Sequence, residues 1–112
     1  MAGQGSEALI RKQAKKQLEE AGWLVWIPPL PRFTKFLLDI FNIADCIAAK
    51  GGRMVLIQWT TLHHKSARMK KIQAVLKQHL LTFGVELWCW DGEKFHYFTV
   101  FDDSVEELTT VV

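Results

Sequence analysis

The sequence predicts a single-domain α/β protein with the element order αβββαββ, a mixed central sheet flanked by helices. Three observations carry that prediction. Apolar residues recur at helical spacing over residues 6–21, a Gly51-Gly52 pair joins two apolar runs, and a second helical stripe separates those runs from two further strand-like segments. With 112 residues the chain can close one core and little more. Hydrophobic residues at 49% and charged residues at 23% exclude disorder and describe a compact domain.

Each element has its own signal. In the first helix Ile10, Ala14, Leu18 and Ala21 form the apolar stripe, and Gly22 supplies the stop. WLVWI, residues 23–27, is a β-rich run closed by Pro28-Pro29, which cannot continue a sheet ladder. Residues 30–41 read as a lid or connection, broken by Pro31, with Phe33, Phe36, Leu37 and Leu38 available for a short helical turn. Residues 43–49 and 53–60 form a hairpin, because two glycines provide the positive φ angles of a two-residue turn. In the second helix Ser66 is the expected N-cap, Met69, Ile72, Leu76, Leu80 and Phe83 the inward stripe, and Gly84 the end. VELWCW (85–90) and KFHYFTVF (94–101) follow as strands around an Asp91-Gly92 turn. The domain core spans 5–101, and the acidic tail, 102–112, frays or forms a short terminal helix.

Charge is more informative in its distribution than in its total of +2. The first helix carries Arg11, Lys12, Lys15 and Lys16, the second carries Arg68, Lys70, Lys71 and Lys77, and Asp102, Asp103, Glu106 and Glu107 in the tail offset them. The basic residues read first as solvated helix faces, and the same faces suit phosphate contacts. No apolar run reaches the ~20 residues of a membrane helix, and residues 1–13 lack the apolar core of a signal peptide, so the expected location is cytoplasmic. Cys46 and Cys89, each inside an apolar run and without a neighbour at metal-site spacing, read as buried free thiols.

One stretch resists a purely structural reading. ADCIAAKGGRMVLIQWTT, residues 44–61, puts Asp45 on one strand of the hairpin and Gln58 on the other, at matching distances from the turn. The two therefore face each other across a regular hairpin. A sheet covered by helices on both faces buries such groups at a cost, so they must be satisfied or used.

At these residues the chain resembles the PD-(D/E)XK nuclease superfamily, and within it the small archaeal-type Holliday junction resolvases. The matching positions are Glu7 in SEALIRKQAKKQLEEAGWLVW, Asp45 in ADCIAAKGG, and Gln58-Trp59-Thr60 in MVLIQWT. The likeness runs from Glu7 to about Tyr97 and includes the GW after the first helix and KKIQ in the second. It implies a restriction-endonuclease-like core in which Glu7, Asp45 and Gln58 ligate Mg²⁺ or Mn²⁺ for phosphodiester hydrolysis. It also implies a DNA substrate, branched or duplex, and a symmetric homodimer, for which exposed aromatic strands around Trp88 or Phe95 offer an interface.

The departures fall on the chemistry. Ala44 replaces the motif's frequent proline, Gln58 its acidic residue and Thr60 its lysine. An amide still offers a carbonyl oxygen, but the site loses a negative charge, so metal binding weakens. A threonine hydroxyl supplies no cation for the charge that develops on cleavage. The expected replacement is Lys71, then Lys65. Gln73 matches a polar position on the same helix, and the expected nucleic-acid contacts are Arg11, Lys12, Lys15 and Lys70. The adjacent His63 and His64 read as an exposed loop pair. Two functions follow: a metal-dependent DNA endonuclease with an altered site, or a nuclease-fold DNA-binding or assembly module that no longer hydrolyses.

Overall fold

The computed structural model describes residues 7–29 and 39–109. The lid or connection expected over 30–41 therefore lies largely outside the described residues. Among them, the chain forms two α-helices and a six-stranded mixed sheet. In order these are α1 (Glu7–Glu20), β1 (Leu24–Trp26), β2 (Cys46–Lys50), β3 (Arg53–Thr61), a 3₁₀ turn (Leu62–His64), α2 (Lys65–Gln78), β4 (Val85–Trp90), β5 (Phe95–Val100) and β6 (Val105–Leu108). The strands lie side by side in sequence order. All neighbours are antiparallel except β3 and β4, whose parallel pairing needs the long crossover that α2 provides.

Strand alternation sorts the core into two layers. Ile10, Ala14 and Leu18 of α1 pack with Cys46, Ala48, Ile57, Trp59, Trp88 and Trp90. Ile72 and Leu76 of α2 pack with the alternate positions Val85, Leu87, Cys89, Phe98 and Val100. The helices thus cover opposite faces, and β4, buried on both, is apolar at every position but Glu86. Cys46 and Cys89 are buried free thiols, and burial pushes both up to about 12. Among the described residues no helix is long and apolar enough to cross a membrane.

The turns follow local chemistry where glycine is present and depart from it where leucine takes its place. Gly51 and Gly52, at φ 56° and 81°, make the two-residue β2–β3 turn. Gly22, at φ 91°, closes α1 with its N–H on the Glu19 carbonyl, while Trp23 N–H reaches the Leu18 carbonyl, both at 3.0 Å. The same closure ends α2 at Gln78, before Gly84: Leu81 N–H bonds the Leu76 carbonyl at 2.9 Å, and Leu80 adopts φ 55°. Leu80 and Phe83, expected on the buried stripe, are therefore exposed. Gly84 serves packing instead, since a Cβ there would meet Thr99 Cγ2 at 2.5 Å. α2 also starts at Lys65, after a 3₁₀ turn, with no side-chain cap from Ser66.

Two further expectations change. Part of the acidic tail is β6, paired to β5 from Val105↔Val100 to Leu108↔Tyr97, rather than a frayed end or helix. Trp88 and Phe95 are 0% and 5% exposed, so these rings fill the core and offer no interface.

The β4–β5 turn is fixed by Asp91. Its Oδ1 accepts the N–H groups of Glu93 and Lys94 at 2.8 and 2.9 Å, and its Oδ2 lies 2.8 Å from His96 Nε2. These contacts, the Lys94 N–H foremost, hold the Asp91 carboxyl well below the usual range.

Candidate functional site

Asp45 stands one residue before β2, and its position is dictated by the ladder. Its N–H donates to the Ile57 carbonyl at 2.8 Å, so Asp45 and Cys46 both sit against Ile57 and the regular register ends there. The Trp59 N–H, next along β3, is met by a side chain in place of a backbone carbonyl. The Asp45 carboxylate takes that place, accepting Trp59 N–H on Oδ2 at 2.8 Å. The ladder pairs end at Cys46↔Ile57, and just beyond them the Gln58 side chain hydrogen-bonds to the Asp45 carboxylate. Burial pushes the Asp45 carboxyl up to about 6, against the Trp59 N–H, which lowers it; the Asp39 carboxylate adds to the rise, and Gln58 and Arg68 oppose it.

Gln58 is 1% exposed, on the face of β3 that turns toward α2. Its Oε1 is buried and, among the described residues, has no hydrogen-bond partner. An unpaired buried amide oxygen costs roughly 1–3 kcal/mol, so this is a strained place for a glutamine that serves only packing. An apolar residue of the same size would avoid the cost.

Beside this pair, where β3 ends, a cavity of about 190 Å³ opens between the starts of α1 and α2. Its wall is Glu7, Ile10, Trp59, Thr60, Thr61, His64 and Arg68. Glu7 is in the first turn of α1, where the helix dipole favours a carboxylate. Thr61 Oγ1 and His64 Nδ1 are 2.9 Å apart, which fixes the imidazole at the rim. Asp45 and Gln58 are not part of this wall; they adjoin it through the Trp59 backbone.

The structure thus brings together Glu7 with Thr60, and Asp45 with Gln58, in two adjoining groups. The expected replacement cations are held outside the cavity wall. Lys71 Nζ lies 3.8 Å from Asp39 Oδ2, and Lys65 Nζ lies over the Phe98 ring, 4.9 Å from its centroid. Gln73 donates to the Phe101 carbonyl at 3.1 Å and so ties α2 to the β5–β6 turn. Lys12, Lys15 and Lys70 are exposed and Arg11 is half-buried. His63 and His64 are exposed, as expected, within the 3₁₀ turn.

Sequence reasoning missed Arg68, Thr61 and His64. Arg68 follows Lys65 by three positions and precedes Lys71 by three, so all share one side of α2. Only the start of the helix, two residues earlier than expected, decides which of them borders the cavity.

Among the described residues there is no group of three or more His, Cys, Asp or Glu able to hold a metal ion. The donors present are two carboxylates, Glu7 and Asp45, and the unpartnered Gln58 Oε1. These are hard oxygen donors of the kind a cation such as Mg²⁺ takes, with Glu7 in the cavity wall and Asp45 and Gln58 beside it. The chain matches no protein-family model, no curated protein and no solved structure.

Proposed function

We propose that this chain is a DNA-binding protein of restriction-endonuclease-like fold, resembling Holliday junction resolvases, whose hydrolytic site is present in a weakened form. The observation that carries the reading is the buried, unpartnered Gln58 Oε1 set against Asp45. A polar atom left without a bond in a core is expensive, and burial of an acid beside it costs more. Adjoining acids and a cation from α1 and α2 give that cost a use.

In this reading Asp45, Gln58 and Glu7 hold the divalent ion, which when bound would lower the pKa of the attacking water and neutralise the scissile phosphate. Asp45 orients the end of β3 through Trp59 N–H and keeps Gln58 aimed by its own carboxylate. Thr60, at the motif's lysine position, contributes a hydroxyl and no charge. The exposed faces of α1 and α2, with Arg11, Lys12, Lys15 and Lys70, meet the flanking phosphates. Partnership with a second copy remains part of the proposal, without Trp88 or Phe95 in its interface.

The test is cleavage and binding of linear and four-way-junction DNA, with Mg²⁺ and with Mn²⁺. Expected are binding at low salt and slow cleavage that is faster with Mn²⁺ and absent from Asp45→Ala. Binding with no cleavage under any metal would favour the second function, a DNA-binding module without hydrolysis. No binding at low salt would overturn both.

A further inference from the structure

We propose that Arg68 is the residue that grips a backbone phosphate of the DNA in the cavity at the end of β3, so that the site's positive charge comes from α2 and not from the strand. This inference deepens the reading above and rests on it. It begins from the cavity wall, which combines one guanidinium, two hydroxyls and an imidazole with a single acid, Glu7. Such a lining offers fixed donors to a tetrahedral anion.

Arg68 is the cation placed to do this. Lys71 is engaged by Asp39 and Lys65 by the Phe98 ring, whereas among the described residues Arg68 makes no ion pair. Its charge nevertheless reaches Asp45, whose carboxyl it lowers. Arg68 thus shares the cavity wall with Glu7 and stands near enough to Asp45 for its charge to be felt there.

Guanidinium chemistry sets what this contact does. Its planar fork presents two parallel N–H donors to two phosphate oxygens, and it stays charged at every accessible pH. It positions a phosphodiester and stabilises added negative charge, but it does not give up a proton as an acid. The Thr60 and Thr61 hydroxyls complete the donor set, with His64 orienting Thr61. Glu7 repels an anion in the same cavity, so phosphate binding strengthens when a divalent cation is added.

The experiment measures duplex DNA affinity in EDTA between about 50 and 200 mM salt, where counterion release makes affinity fall with a slope set by the number of phosphates contacted. Arg68→Ala is expected to weaken binding about tenfold and to reduce the slope by about one, as for one lost phosphate contact. Arg68→Lys should keep the slope and fall between the two in affinity. Wild-type slope and affinity in Arg68→Ala would overturn the inference and leave the DNA-binding reading standing. A wild type that does not bind would overturn both. If Arg68→Ala fails to fold, the wild-type Nε–H resonance of Arg68 decides: a shift on adding DNA supports the contact. No shift, while α1 amides respond, overturns it.

Discussion

Gln58→Glu combined with Thr60→Lys is expected to raise Mg²⁺-dependent DNA cleavage by about 10²- to 10³-fold over the wild type, the size of effect that one well-placed charge-stabilising group has at a reacting centre. The two changes leave net charge untouched, so long-range attraction to DNA changes little. Locally they change a great deal. The new carboxylate replaces an amide that is 1% exposed beside Asp45, and two adjacent buried acids repel each other in the absence of a cation. The double variant should therefore be less stable than the wild type in EDTA and gain stability with Mg²⁺, since a ligand that binds only the folded state stabilises it. Thr60 lines the cavity with Glu7 and Arg68, so a lysine there can extend into it. A gain in stability with Mg²⁺ but none in cleavage would mean that the metal site is real and that the cleavage geometry has been lost. No response of either kind would remove the metal-site assignment.

Asp45→Asn is expected to stabilise the protein at alkaline pH and to leave it unchanged in acid. The folded-state carboxyl is raised from 3.8 to about 6, chiefly by burial. A raised pKa means that the fold prefers the protonated acid. Its stabilising contribution is fully present below about 3.8 and is lost as pH rises through about 6. The shift corresponds to about 3 kcal/mol between the two limits. Asparagine keeps an oxygen for Trp59 N–H and places an amide against Gln58, whose own amide can turn to offer Oε1. The variant thus removes the cost of the charge and pairs the orphaned oxygen. Urea unfolding at pH 8 should show a gain of up to about 3 kcal/mol, and near pH 4 the two proteins should coincide. Equal stability at pH 8 would show that the buried charge is satisfied as it stands. A carboxylate kept where it weakens the fold is what a functional site requires.

The parts of this fold visible in the sequence are those governed by short-range chemistry. Gly22 and the Gly51-Gly52 pair mark chain reversals because only positive φ serves there, and the structure uses all three. The neighbourhood of Asp45 and Gln58 was legible in part: a two-residue turn sets the register by counting as far as Cys46↔Ile57, but Asp45 also bonds Ile57, so the regular pairing with Gln58 is not formed and the two meet through their side chains. What was illegible depended on tertiary context. Leu80 ends α2 in a left-handed conformation that leucine rarely adopts, so the apolar stripe seemed to run on to Phe83. β6 carries two adjacent glutamates and is held by pairing with β5 and by Gln73 near its turn, neither of which a local pattern reveals. Trp88 could be placed on a strand but not inside or outside, because a strand buried on both faces has little polar alternation to read. Arg68 was hidden for a subtler reason: α2 starts two residues before its expected position, and that placement decides which side chain borders the cavity.

Mn²⁺-induced relaxation of backbone amide resonances tests the central claim most directly, because it reports where a divalent ion sits whether or not the protein turns over DNA. The account predicts broadening centred on Glu7, Asp45, Gln58, Trp59 and Thr60, lost in Asp45→Ala. Broadening centred instead on Asp102, Asp103, Glu106 and Glu107 at the β6 edge, or no selective broadening at all, would contradict it.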